Sequence, residues 1–182
     1  VAAIRRLVTE EIRFDDLLLL EQFVTLNGAD ADLSWQFLEK LEKLDYSRGR
    51  IMTAFGGVDV VTAAELLAYT DRIEAMNEPA GWALKAFLLL PGQSRESVAH
   101  AVVLIERMND KQQWAVEECC KIKEMNADKA LGVIELLGRI SKTDVWNARG
   151  LFKQNISPEV ALYWVKHYFS ESQDDKEWLF FA

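Results

Sequence analysis

The sequence predicts an all-α fold, a right-handed α-solenoid of about five to six helical hairpins on a 32-residue repeat. Three observations carry this reading. Leu, Ala, Glu and Lys dominate a chain of 182 residues that holds only three prolines and nine glycines, a composition that favours helix and offers little turn vocabulary for many short strands. Trp82, Trp114, Trp146 and Trp178, four of the six tryptophans, recur every 32 residues, a period in the range of helical repeats. The same interval sets Asp30, Thr62, Ser94 and Asn126 in one column, and Asp45, Asn77, Asn109 and Ser141 in a second column fifteen residues later. All eight side chains can accept from the free N–H groups of a first helical turn. Only 32 of the 182 residues are Ser, Thr, Asp or Asn, so eight matches at eight positions mark helix starts.

Taken in order, the first helices fall near 2–12 and 16–26, and Asn27-Gly28 closes the second. A pair at 31–44 and 47–56 follows, opened by Asp30 and Asp45; Leu38, Leu41 and Leu44 form one stripe, and Ile51, Met52 and Phe55 another. Steps of three and four place such residues on one buried face. The next pair, 63–76 and 79–90, opens on Thr62 with Glu65 three residues on, the spacing of a capping box. Pro91-Gly92 then stops the helix. Val98, Val102 and Ile105 stripe the helix at 95–108, and Trp114, Val116, Cys119 and Ile122 that at 110–125. Helices at 127–140 and 144–154 carry Leu131, Ile134 and Leu137, then Trp146, Ala148 and Leu151. Ser157-Pro158-Glu159 supplies a cap, a proline at the first helical position and an acid in the first turn for 158–170. A last helix spans 174–182. The tryptophans, each at the start of a second helix with apolar companions, are expected to pack between repeats.

No linker divides the chain, so residues 1–182 read as one domain, expected to be a segment or module of a longer protein because no leader opens it and Trp178 arrives without a complete second helix. Apolar runs such as Leu17 to Leu20 fall far short of the roughly 20 residues a membrane span needs. The formal charge of −8, from 21 basic and 29 acidic residues, argues against a nucleic-acid partner. Adjacent Cys119 and Cys120 cannot bridge each other in an ordinary way, and a reduced, structural pair is expected. That slightly favours the cytoplasm over an exported, processed chain, with the compartment left open.

The segment from Trp114-Ala115-Val116 through Met125-Asn126-Ala127 to Leu137, and that from Trp146 through Ile156-Ser157-Pro158-Glu159 to Leu162, resemble short HEAT-like repeats of the bacterial kind. The resemblance covers residues 30–170. It implies a scaffold that displays a concave surface to a protein partner. It also implies two rival readings: the helical accessory domain of an enzyme such as a cell-wall lytic enzyme, or a HEAT-like DNA glycosylase. The second needs a basic concave face, which the composition opposes.

The remaining residues offer no catalytic constellation. His100 and His167 lie 67 residues apart. Glu96, one turn before His100, gives half of a metal site and no second half appears, so neither metal nor cofactor is expected. No Gly-x-Ser-x-Gly elbow, Walker loop or Gly-x-Gly-x-x-Gly occurs. A third column does appear on the first helices: Glu42, Glu74 and Glu106, flanked by Glu39, Asp71 and Glu135. Residues three apart share a helical face, and stacked units would align these six carboxylates into a ridge. Val103 and Gly138 interrupt it, and Lys43, Arg107 and Arg139 are placed to neutralise part of it. The expected function is a non-catalytic protein-interaction scaffold, with a protein or peptide partner of basic character meeting this ridge.

Overall fold

The computed structural model describes residues 14–58 and 61–167, apart from the side chains of 14, 15, 142 and 143. Among these residues the chain is all-helical, with ten helices: α1 (Phe14–Thr25), α2 (Ala31–Leu41), α3 (Tyr46–Gly56), α4 (Ala63–Ala75), α5 (Glu78–Leu88), α6 (Arg95–Arg107), α7 (Asp110–Cys120), α8 (Ala127–Leu137), α9 (Lys142–Phe152) and α10 (Pro158–His167). The helices predicted at 2–12 and 174–182, and Trp178, lie outside the described residues. No described helix is long and apolar enough to cross a membrane.

The starts follow from capping. Asp30, Asp45, Thr62, Ser94, Asn109, Asn126 and Ser141 are all extended N-caps whose side chains accept from first-turn N–H groups, and Asn77 directly precedes α5. Thr62 and Glu65 form the expected capping box, and Ser94 with Ser97 and Asn109 with Gln112 form two more. The ends come earlier than apolar periodicity suggests. Beyond α7 the backbone of Glu124 enters the left-handed region at φ 65°, which a helix cannot pass through. Gly92 at φ 79° does the same work after α5.

The chain divides into two compact units, residues 1–77 and 78–182. In the first, α1 lies on α2 and α3, and α2 and α3 both pack on α4. Its core holds Phe23 stacked on Phe37, ring centres 4.2 Å apart, with Leu38, Leu41, Met52, Phe55, Leu66 and Ile73 buried around them. Each such side chain contributes about 1.5–3 kcal/mol by leaving water. Arg48 ties α3 to the end of α4, donating to the carbonyls of Ile73 at 3.2 Å and of Glu74 and Met76 at 3.0 Å. It is anchored by an ion pair with the cap residue Asp45.

In the second unit α5, α7 and α9 pack successively into one layer, and α6, α8 and α10 into another. Leu84, Phe87, Val102, Ile105, Val116, Cys119, Val133, Ile134 and Leu137 fill the space between. Two buried glutamines stitch helix ends. Gln112 Nε2 donates to Leu137 O at 2.9 Å, 25 residues on, while Gln113 Nε2 donates to Ile105 O and Met108 O, each at 3.0 Å.

Two expectations change. The sequence pairs each capped first helix with the second helix that follows it, yet the sequential neighbours in closest packing are α1 with α2, α3 with α4, α5 with α6, and α7 with α8. Two to four residues join α2 to α3, α6 to α7 and α8 to α9, whereas five join α1 to α2 and six join each of the other three closely packed pairs.

The tryptophan column is not a core ladder. Trp82 and Trp114 are only half-buried and Trp146 is 49% exposed. The buried stripes of α5, α7 and α9 run instead through Ala83, Leu84 and Phe87, through Ala115, Val116 and Cys119, and through Val145 and Ala148. A single apolar stripe leaves a residue one step off it at the boundary, where the indoles meet cations.

Candidate functional site

In the first unit, Glu39 and Glu42 lie at the end of α2, and Asp71 and Glu74 lie near the end of α4, which packs beside α2. All four are exposed. Lys40 reaches across from α2 to pair with Asp71, which shows that these helix ends face each other. Glu42 and Glu74 make no side-chain hydrogen bond or ion pair with any described residue. Four of the six ridge residues therefore lie on adjacent helices, with Asp71 paired to Lys40.

In the second unit the ridge thins. Glu106 is exposed on α6, but Glu135 on α8 turns toward His100, its Oε1 lying 3.6 Å from the imidazole Nδ1. Glu135 and His100 line a cleft of about 310 Å³ together with Leu104, Arg107, Gln112 and Arg139. Neither Arg107 nor Arg139 forms a side-chain hydrogen bond or ion pair with a described residue, so the expected neutralisation of ridge glutamates by these two arginines does not occur. Each arginine ends up at a helix C-terminus, where a cation offsets the carbonyl dipoles, and each faces the cleft.

The boundary tryptophans form a second polar and aromatic surface in this unit. Arg149 of α9 sits 5.6 Å from the ring centre of Trp114 and 5.3 Å from that of Trp146, and Lys111 lies 5.5 Å from Trp146. Lys85 lies 4.9 Å over Trp82, whose Nε1 donates to Glu78 at 3.3 Å. Arg149 also approaches Glu118 at 3.6 Å, as do Lys121 at 3.7 Å and Lys153 at 3.9 Å. Cation–π contacts of this kind depend on a charge over the negative ring face, and they hold α7 and α9 together at their edge. The sequence reading missed them, although Trp146 and Arg149 stand one helical turn apart.

Cys119 and Cys120 are both buried and unbridged. Burial raises the Cys119 thiol well above its ordinary range, and burial with the nearby Glu117 charge pushes Cys120 up to about 12. Neither is a thiolate at neutral pH, which removes nucleophilic chemistry from the pair. A second cleft, about 280 Å³ in the first unit, is lined by Asp16, Asp45, Tyr46, Arg50 and Thr53. Among the described residues no group of three or more His, Cys, Asp or Glu is placed to hold a metal ion.

Comparison with known protein families, with curated proteins and with solved structures found no match to this chain.

Proposed function

We propose that this chain is a non-catalytic protein-interaction scaffold, a HEAT-like α-solenoid with a 32-residue repeat, whose acidic ridge receives a basic segment of a protein partner. The observation that carries the reading is the exposed pair Glu42 and Glu74, 32 residues apart on packed neighbouring helices and without ion pairs to described residues. The recurrence of first-helix starts at residues 31, 63, 95 and 127 supports the repeat. So do two tertiary bonds of equal span: Ala63 N to Asn27 O and Ala127 N to Pro91 O, both 3.0 Å. Carboxylates aligned on one surface add their potentials, and the net charge of −8 gives a background that favours encounter with cations.

An arginine- and lysine-rich peptide labelled for fluorescence anisotropy tests this. The expected result is binding that weakens with salt, since screening acts over about 8 Å at physiological ionic strength. Binding should fall by at least about tenfold in the E42K/E74K/E106K variant. These exposed changes should leave the melting temperature nearly unaltered, because surface substitutions cost within about 0.5 kcal/mol. Equal affinity in parent and variant, or no binding by the parent at low salt, overturns the ridge assignment.

A further inference from the structure

We propose that the cleft between α6 and α8 is a binding site for a small polyanion, whose carboxylate or phosphate oxygens are gripped by Arg107 and Arg139. This goes beyond the scaffold reading and does not rest on it. A guanidinium is permanently charged, and its planar fork of N–H donors matches a carboxylate or phosphate in two-point geometry. Both arginines line one cleft, and neither is paired with a described residue. That is unexpected in a chain where 29 acids outnumber 21 bases. Two like charges facing one space repel each other, and a shared anion removes that repulsion.

The amide of the cleft is already engaged. Gln112 donates to Leu137 O and accepts from Asn109 N at 3.0 Å through its amide oxygen. Glu135 Oε1 lies 3.6 Å from His100 Nδ1. The arginines are the permanently charged cations of the lining, while Leu104 and Met108 supply apolar wall. At about 310 Å³ the cleft stands at the lower end of the range for small-molecule sites, roughly 300–1,000 Å³, which suits a compact molecule carrying two or more oxyanion groups.

Titration calorimetry on the full chain, with citrate as the polycarboxylate and pyrophosphate as the phosphate, tests the site. Binding of either probe below about 10 mM is expected, and the probe that binds more tightly identifies the oxyanion class. R107A/R139A should weaken it by at least about tenfold. R107K/R139K should lose a large part of it, because an ammonium keeps the charge and lacks the fork. E135Q should tighten it by removing an opposing carboxylate. K123A, at a lysine 84% exposed outside the cleft, should leave it unchanged. Circular dichroism of each variant confirms folding. Failure of both probes to bind the parent, an equal loss in K123A, or no change in R107A/R139A overturns the proposal.

Discussion

At the scale of single residues, position relative to a buried stripe outweighs residue type. Trp146 is the largest kind of side chain and half its surface faces water, whereas Phe87 is wholly buried. Phe87→Ala should therefore cost about 3–5 kcal/mol, the loss for a fully buried ring, and Trp146→Ala only about 1 kcal/mol, the worth of a partly exposed cation–π contact. Urea denaturation of both variants measures the difference, and equal losses would restore Trp146 to the core. Glu159 shows the same dependence on surroundings in its titration. A 2.5 Å bond from Lys129 is the main cause that lowers its pKa from 4.5 to about 2. A carboxyl depressed in this way adds stability above the unfolded value of 4.5 and loses it as the pH falls toward 2. Carbon-13 NMR titration should follow Glu159 near 2 in the parent and closer to 4.5 in Lys129→Ala. Identical midpoints would dissociate the shift from the lysine.

Helices are the scale at which the sequence was most legible. Caps act within three residues, so the columns headed by Asp30 and Asp45 located helix starts without any knowledge of tertiary packing. Apolar periodicity likewise identified stripes such as Val98, Val102 and Ile105, all buried. The ends were less legible, because the positive φ of Glu124 is written in no turn residue that sequence reasoning would single out. The stitching glutamines were invisible for another reason: Gln112 meets Leu137 O across 25 residues, a contact that only tertiary packing creates. The cleft of Arg107 and Arg139 belongs to the same class. In Gln112→Ala the buried Leu137 carbonyl loses its side-chain donor and α7 loses its capping box, so destabilisation of about 1–3 kcal/mol is expected. Chemical denaturation with Lys123→Ala as the neutral reference checks this. A cost no greater than that of the reference would mean that the carbonyl finds water instead.

For the whole molecule, each unit has its own apolar interior, Phe23 with Phe37 and Phe55 in the first, and Leu84, Phe87, Val116 and Ile134 in the second. Residues 78–182 expressed alone should therefore be helical and melt cooperatively, as a segment with its own core does. A featureless circular dichroism melt of that fragment would show that its core depends on residues 1–77. The long-range stitches have a consequence for how such a chain changes length over evolution. Arg48 and Gln112 stand 64 residues apart, each reaching a main-chain oxygen 25 residues ahead. Every amino acid carries that oxygen, so the acceptor side of the junction survives any substitution, and guanidinium and amide serve equally as donor. Duplication or loss of a segment would demand one suitable side chain at the seam rather than a matched pair. Such a seam is open to growth by copying, even after its sequence has drifted beyond recognition.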